Sequence, residues 1–221
     1  MEDLTVIIPA KDEPDSLPSV IKEIRDLKLN YFIIVEKNDL KTINVIDDKK
    51  NILYQTNQGF GDSIILGINK VKTKYFSIIF ADGSTNPNEL SLLANHLKKT
   101  DSDFVFGSRY SKNASSEDDT ITTYFGNKIF SLLGKLFFGL KISDILFTYV
   151  FGKTDKARNL NLKSRDFGIC VELPIFANKL GYKITDYPCH ERQRLYGKKK
   201  INALIDGYKI LIKMLKIYIN K

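Results

Sequence analysis

Four segments of the chain place chemically capable residues directly after apolar runs. Glu13 follows the first run, in PAKDE, and Glu36 ends the second. Gly59 and Gly61 follow the third run, in QTNQGFGDS, and Asp82 ends the fourth, YFSIIFAD. Carboxylates bind ribose hydroxyls or a divalent cation, and a glycine turn that leads into a helix N-terminus favours an anion. Together these groups would suit a ribose and a metal-bound diphosphate.

Each of these groups also has a purely structural interpretation. Glu13 could be a first-turn helix charge, Glu36 a solvated strand end and Asp82 part of an Asp-Gly turn. The glycines match neither a P-loop, because no GK[ST] follows, nor a complete dinucleotide fingerprint, so a turn used for packing is an equal alternative. Several carboxylates gathered at one sheet edge beside a glycine turn nevertheless favour a binding site.

The elements that must position these groups alternate along the first half of the chain. The strands predicted from the apolar runs are 4–10, 31–36, 51–55, 75–82 and 103–108. The helices predicted from apolar spacing are 17–27, 59–71 and 86–98. Such alternation is typical of βαβ units, so the predicted fold class is α/β, with a mostly parallel central sheet flanked by helices.

The start of the helix at 86–98 bears on Asp82. Asn86, Pro87 and Glu89 form the pattern of a capping box, with Asn86 as the N-cap and Glu89 as its reciprocal partner. Asp82 is then not needed to begin the helix, which leaves its carboxylate for another purpose.

The regular alternation stops after residue 110. Residues 111–120 are polar without an apolar period, which predicts a mobile loop. Further helices are predicted at about 123–138 and 168–180, an edge strand at 182–188, and a long amphipathic C-terminal helix at about 200–220. The apolar stripe of this last helix either covers the sheet or lies on an anionic membrane surface.

The composition excludes several kinds of site. The chain has 221 residues, 43% of them hydrophobic and 27% charged, as in a globular protein. Cys170 and Cys189 form no CxxC pair and there are two histidines, so a zinc or histidine-based metal cluster is not expected. This cysteine usage fits a reducing compartment, so we expect a cytoplasmic protein. A signal peptide is not expected. A transmembrane helix is not expected either, because the apolar stretch 129–140 is short and contains Lys135.

Positive charge is concentrated towards the C-terminal end. From residue 190 onward, nine lysines and arginines face two acidic residues, which leaves there seven of the chain's eight net positive charges. A basic end on a nearly neutral body indicates a phosphate-rich partner, such as an anionic membrane, a lipid phosphate or a nucleic acid. A nucleic acid is disfavoured, because the carboxylate-lined sheet edge would repel its backbone and no RNA-binding motif is present.

The order of the motifs resembles family 2 glycosyltransferases of GT-A fold. The segments TVIIPAKDE, IIVE, NQGFGDSIILGI, IIFADGSTNPNEL, FVFGSRY, ISDILFTYVFG and ERQRLYGKKKINALIDGYKIL follow one another as in that family. The look is closest to polyprenyl-phosphate (dolichyl-phosphate) mannosyl- and glucosyltransferases. The resemblance implies transfer of a sugar, with inversion, from a nucleotide-diphosphate sugar to a lipid phosphate or a glycan.

The resemblance also implies a division of labour along one domain at 1–221. Residues 1–110 would be the nucleotide-binding half, 111–189 the acceptor-side half, and 190–221 a basic segment with its helix. The positions that match the family's binding of base and nucleoside are Pro9, Ala10, Glu13 and Glu36. Gly59 and Gly61 match the glycine turn near the donor.

Five further residues match positions near the reacting groups. Asp82 matches the last Asp of the DXD motif, which binds Mg²⁺ or Mn²⁺ on the diphosphate. Arg109 matches the arginine of a GSR motif beside the active site, and Asp144 matches an acidic residue after the acceptor-side helix. Arg194 and Lys200 match an R-x-x-G-x-S-K segment that handles phosphate.

The chain departs from the family at three positions near these residues. Phe80 stands where the family has the first Asp of DXD, Ser84 stands where some relatives have a metal-binding Gln, and Lys199 replaces a Ser. Lys199 could partly neutralise the diphosphate in place of a metal. An alternative function is therefore a non-catalytic sugar-nucleotide binder with a degenerate DXD motif.

The acceptor determines whether a base is needed. A lipid phosphate is already ionised near neutral pH, whereas a sugar hydroxyl must lose a proton to a carboxylate. Asp144 and Glu172 are the first candidates for that carboxylate, although Glu172 could equally be a buried helix residue. A lipid acceptor would place a cytoplasmic protein at the membrane surface as a peripheral partner.

Overall fold

The computed structural model describes residues 3–197, 200 and 202–220. Its strands are β1 (Leu4–Pro9), β2 (Asn30–Val35), β3 (Ile52–Tyr54), β4 (Tyr75–Ile78), β5 (Phe104–Ser108), β6 (Ser115–Ser116), β7 (Val150–Lys153), β8 (Ile184–Pro188) and β9 (His190–Glu191). Its α-helices are α1 (Leu17–Asp26), α2 (Leu40–Asn44), α3 (Phe60–Lys70), α4 (Leu90–Thr100), α5 (Ile121–Phe138), α6 (Thr154–Asn159), α7 (Ile169–Lys179) and α8 (Ala203–Ile219).

The central sheet has the order β3-β2-β1-β4-β7-β5-β8. Its neighbours pair in parallel except for β7, which is antiparallel to both β4 and β5. The prediction of a mostly parallel sheet flanked by helices is therefore confirmed. β7 was not predicted from the sequence, because its four residues, which include Gly152, are too few to show an apolar period.

The strands are apolar because the sheet is covered on both faces. Every residue of β1 is buried except Pro9, at its end, as expected for a strand between two helical layers. One face packs against α1 and α4, which contribute Leu17, Ile24 and Leu93 to the core. The other face packs against α3, α7 and α8. The resulting layers hold the sheet rigidly beneath its loops.

The topology fixes where the loops of the first half converge. The chain passes from β1 to β2 and β3 on one side, then returns to β4 on the other side of β1. Ligand crevices form at such reversals, outside the carboxyl ends of the strands. The segments after β1, β2 and β4, which carry the predicted carboxylates, meet at this edge.

Three local expectations are wrong in detail. β4 ends at Ile78 rather than 82, and the loop that follows is closed by the Thr85 hydroxyl, which accepts from the Phe80 N–H at 2.8 Å. Asn86 caps a 3-10 turn over Pro87–Glu89, ahead of α4. Glu89 is not its capping partner, because Glu89 Oε1 instead accepts from the His190 N–H at 3.0 Å.

The predicted mobile loop at 111–120 contains a strand. Its residues Ser115 and Ser116 form β6, which pairs in parallel with β9. The backbone N–H of Glu117 also donates to the carbonyl of Glu191 at 2.9 Å. The loop is therefore attached to the C-terminal part of the chain.

The C-terminal helix α8 is amphipathic, as predicted. Ile210, Met214 and Ile217 are buried in the core, and α8 packs on α5 and α7. Lys213 forms a 2.7 Å ion pair with the buried Glu172 of α7. Within the part of the chain that the structure describes, no helix is both long and apolar enough to cross a membrane.

Candidate active site

A cavity of about 440 Å³ opens at the carboxyl ends of β1, β2 and β4. Most of the predicted site residues line it: Pro9, Ala10, Glu13, Glu36, Gly59, Asp82, Arg109, Arg194 and Lys200. Gly61 and Asp144 are buried behind its wall. The topology thus brings residues from both ends of the chain to one crevice.

The turn after β4 holds the Asp82 carboxylate in a fixed orientation. Its Oδ1 accepts from the N–H of Ser84 at 3.0 Å and from the Ser84 hydroxyl at 2.8 Å. Gly83, between them, has a φ of 81°, which favours glycine. Asp82 Oδ2 lies 3.4 Å from Arg194 Nη2. One carboxylate oxygen is therefore occupied by its own turn, and the other meets a cation.

Arg194 also contacts Asp118, a residue that the sequence analysis did not single out. Its Nε and Nη2 donate to the two oxygens of the Asp118 carboxylate at 3.3 and 3.0 Å. Burial acts to lower the pKa of Arg194, but the Asp118 and Asp82 carboxylates outweigh it and raise that pKa. No sequence signal marked Asp118, because a polar loop without a period predicts no contacts.

Arg192 fastens the segment that carries Arg194 to the Asp82 turn. Its Nε donates to the Gly83 carbonyl at 3.0 Å, and its guanidinium pairs with Glu23 of α1 at 3.1 Å. The N–H of Leu195 donates to the Asp82 carbonyl at 2.9 Å. Arg194 is thereby held over the carboxylates.

The carboxylates after β1 and β2 are each paired with a lysine. Glu13 accepts from the Ser16 hydroxyl at 2.7 Å and forms an ion pair with Lys200. Glu36 forms an ion pair with Lys11 at 2.8 Å. Lys199, which the sequence analysis singled out, lies outside the described residues.

The two glycines after β3 allow a close approach between backbones. A Cβ on Gly59 would lie 2.2 Å from the Arg165 carbonyl oxygen, and one on Gly61 would lie 2.0 Å from that of Ser164. Gly59 also has a φ of 114°, in the region that favours glycine. This geometry supports the packing interpretation of both glycines, although Gly59 lines the cavity as well.

A family model described as glycosyl transferase family 2 matches residues 5–160. The chain belongs to this family. It is a glycosyltransferase.

Two relatives are similar to the glycosyltransferase over almost the whole of its length. The UDP-N-acetylglucosamine–dolichyl-phosphate N-acetylglucosaminyltransferase of Methanococcus voltae is 22% identical over 98% of this chain and 96% of the relative. An uncharacterized glycosyltransferase of Mycobacterium tuberculosis is 23% identical over 95% of this chain and 94% of its own length.

A solved structure shares the fold. Glucosyl-3-phosphoglycerate synthase from Mycobacterium tuberculosis, in complex with Mn²⁺ and UDP-glucose, superposes with a TM-score of 0.71 at 13% identity. The similarity covers 97% of this chain and 78% of that one. At this identity the likeness shows the fold, and the GT-A expectation is confirmed.

Arg109 of the glycosyltransferase is held inside the wall of the cavity. Its Nε and Nη2 donate to the two oxygens of Asp144 at 2.7 and 3.1 Å, and its guanidinium lies 4.7 Å from the Phe147 ring centre. Burial acts to lower the pKa of Arg109, but Asp144 outweighs it and raises that pKa. Glu191 lies 3.5 Å from Arg109, and burial raises the pKa of its carboxyl.

The two carboxylates predicted from the sequence to take a proton from a hydroxyl acceptor, Asp144 and Glu172, are both engaged. Asp144 is fully buried on Arg109. Glu172 is 1% exposed and accepts from the N–H groups of Lys163 and Ser164 at 3.0 and 2.7 Å, in addition to its pair with Lys213. Neither carboxylate faces the cavity of the glycosyltransferase.

Part of the cavity lining is aromatic. Phe60 stacks on Phe167 with ring centres 5.2 Å apart, and Phe80 packs edge-on against Phe60 and Phe147 at 6.2 and 5.8 Å. Phe80, in the position of the first DXD carboxylate, therefore belongs to an apolar wall. Thr123 and Asn127 of α5 and Ile210 of α8 also line the cavity.

The donor groups of the cavity fit a divalent cation held jointly with a diphosphate. The described residues that line it include seven carboxylates and four basic side chains, an excess of three negative charges within that set. Among the described residues, no group of three or more His, Cys, Asp or Glu side chains could hold a metal alone. A hard cation that keeps waters and substrate phosphates needs just one or two carboxylates, which this site offers.

Proposed function

We propose that the glycosyltransferase transfers a sugar, with inversion, from a nucleotide-diphosphate sugar to a polyprenyl phosphate. The observation that carries this proposal is the mixed lining of the cavity, which combines charged residues such as Asp82 and Arg194 with an aromatic wall at Phe80. A phosphate attached to an isoprenoid chain has matching charged and apolar parts. The Methanococcus voltae relative is named for a dolichyl-phosphate acceptor.

The charged residues of the cavity would bind the donor. Glu36 and Glu13 are placed to accept from ribose or base groups, and Arg194 and Lys200 are placed to balance charge on the diphosphate. That charge grows as the sugar leaves, so cations fixed there stabilise the transition state. Mg²⁺ or Mn²⁺ at Asp82 would supply further charge neutralisation on the diphosphate.

The acceptor would need no protein base. An ionised lipid phosphate attacks directly, whereas a sugar hydroxyl requires a carboxylate within hydrogen-bond reach. Asp144 and Glu172 are buried in structural pairs, which favours the phosphate acceptor over a glycan hydroxyl. Glucosyl-3-phosphoglycerate synthase has been crystallised with a phosphorylated acceptor, phosphoglyceric acid.

The exposed faces of α5 and α8 would contact the membrane that holds such a lipid. Both helices carry large exposed apolar side chains: Ile121, Phe125, Ile129, Leu132 and Leu136 on α5, and Leu204, Ile205, Tyr208, Leu211 and Leu215 on α8. Lys128, Lys135, Lys209 and Lys216 lie on the same two helices. Such a surface suits peripheral binding to anionic lipid on the cytoplasmic side.

The test of the activity uses two matched acceptors, a polyprenyl phosphate and the corresponding polyprenol. The chain is incubated with UDP- and GDP-sugars and Mn²⁺, and lipid-linked sugar is measured by mass spectrometry after extraction. Product is expected with the phosphate alone. Donor binding without transfer to any acceptor would establish the alternative, a non-catalytic sugar-nucleotide binder, and transfer to a glycan hydroxyl would overturn the lipid acceptor.

Vesicle flotation tests the membrane contact separately. The chain should float with vesicles that contain anionic lipid and should float less after Leu204→Glu, since Leu204 is 84% exposed and its replacement leaves the core intact. Equal recovery of both chains with the vesicles would count against the proposed surface.

A further inference from the structure

We propose that Asp118, from the loop between β5 and α5, supplies the metal-binding carboxylate that Phe80 replaces in the DXD position. Asp82 and Asp118 would then hold the divalent cation as a pair. This inference rests on the proposed donor, because the diphosphate would complete the coordination.

The structure already shows one cationic group between these two carboxylates. Nη2 of Arg194 lies 3.0 Å from Asp118 Oδ2 and 3.4 Å from Asp82 Oδ2. The Arg194 guanidinium occupies the position that a divalent cation would take, since it neutralises the same two oxygens at once. The position is shielded, because the side chains of Asp118 and Asp82 are 9% and 15% exposed.

A metal would need shorter distances to the two carboxylates than Arg194 Nη2 has. Mg²⁺ binds carboxylate oxygens at roughly 2.0–2.1 Å, so each carboxylate would approach the shared position by about 1 Å. Asp82 presents Oδ2, because Ser84 occupies Oδ1. Two protein oxygens, with water and the diphosphate, satisfy a hard cation.

Both carboxylates are attached to the same frame. Asp118 follows β6, whose pairing with β9 ties the loop to residues 190 and 191. The N–H of Arg192 then donates to the Ser84 carbonyl at 2.8 Å, next to the Asp82 turn. The backbone that begins at β9 therefore sets Asp118 against Asp82, although the two residues are distant in sequence.

The charge of the cavity explains why a second carboxylate would be used. A diphosphate would add negative charge to a cavity whose described lining residues already include three more carboxylates than basic side chains. A divalent cation replaces the single charge of Arg194 between Asp82 and Asp118, and releases Arg194 to face the diphosphate. A divalent cation is attracted more strongly by two carboxylates than by one.

Asp119 provides a matched control on the same loop. Its carboxylate accepts from the Thr123 hydroxyl at 3.0 Å and from the Tyr110 hydroxyl, and lies 3.8 Å from Arg109. It has the same charge as its neighbour Asp118 but a different set of partners. Loss of Asp119 should leave the Asp82–Asp118 pair intact.

The experiment is a Mn²⁺ titration followed by the electron paramagnetic resonance signal of free Mn²⁺, with and without UDP. Asp118→Asn should weaken Mn²⁺ binding by about 10-fold or more, because even outer-shell losses cost that much. Asp82→Asn should do the same, Asp119→Asn should match the wild type, and Arg194→Gln should strengthen binding. Thermal unfolding of each variant checks that it is folded.

The outcomes separate this inference from the proposed function. No uptake of Mn²⁺ by the wild type in either condition, or equal uptake by wild type and Asp118→Asn, overturns the carboxylate pair. If the wild type takes up Mn²⁺ through Asp118 but UDP has no effect, the pair stands and the nucleotide-diphosphate donor is in error.

Discussion

Arg109 and Arg194 both reach the cavity, but their carboxylate partners lie in different surroundings. Arg109 forms two hydrogen bonds with Asp144, whose side chain is 0% exposed. Arg194 forms two hydrogen bonds with Asp118 and a longer contact with Asp82, and all three side chains retain some exposure to the cavity. The same kind of pair therefore occurs once within the wall and once at the surface of the site.

The difference indicates what each pair can do. Asp144 also accepts from the backbone N–H groups of Arg109 and Phe147, both at 3.3 Å, so its oxygens are used by the local fold. The partners of Arg194 line the cavity, where a cation can compete with Arg194 for the carboxylates and a phosphate can compete with the carboxylates for Arg194. We therefore expect Arg109 to position the wall of the site and Arg194 to exchange partners when a ligand binds.

Breaking the buried pair should have the largest effect on stability. Asp144→Asn leaves the buried Arg109 charge without its bidentate partner, which should lower the free energy of unfolding by about 3–5 kcal/mol. Urea denaturation measures this loss. Asp118→Asn is the control at the Arg194 pair and should cost less, because Arg194 keeps its contact with Asp82. Similar losses for both variants would show that the two pairs do not differ as described.

The sequence predicted the sheet well because its strands are buried on both faces. Runs such as LTVIIP and YFSI have no polar alternation, and the helices between them show clear apolar spacing. The approximate position of each carboxylate followed from the rule that parallel strands end at one edge. These are properties of adjacent residues, which a sequence displays.

The structure of the second half of the chain was harder to predict from the sequence, because it depends on contacts between residues that are distant in sequence. Residues 115 and 116 form a strand because β9 pairs with them, and Asp118 meets Arg194 across a long sequence separation. Asp144 is buried against the distant Arg109, so its exposure could not be judged from its residue type. Polar loops with such partners have no periodic signal.

Breaking the surface pair on the arginine side should affect activity more than stability. With the proposed donor, Arg194→Gln removes a charge that faces the diphosphate, which should reduce the transfer rate by about 10²–10³-fold. Both partners of the pair line the open cavity, so the free energy of unfolding should fall by less than it does for Asp144→Asn. Steady-state kinetics and urea denaturation are compared on the same preparations. Arg194→Lys, which keeps the charge, should recover part of the rate; a variant that unfolds as readily as Asp144→Asn would contradict the comparison.

The smallest expected effect concerns Glu191, which lies between the two regions on β9. Burial raises the pKa of its carboxyl above the ordinary 4.5, despite the nearby Arg109. A carboxyl with a raised pKa contributes stability below its ordinary value, and that contribution is lost as the pH rises through the folded-state pKa. Glu191→Gln keeps an acceptor for the Ser116 hydroxyl but cannot ionise.

The variant and the wild type should therefore have similar stability in acid and diverge towards neutral pH. The wild type should fall progressively below Glu191→Gln as the pH rises from about 4.5, because it must ionise a buried carboxyl. Thermal unfolding of both chains across this range measures the difference, and titrations common to both cancel. A difference of the opposite sign would mean that Arg109 holds Glu191 ionised, and the buried cluster would then rely on two carboxylates rather than on Asp144 alone.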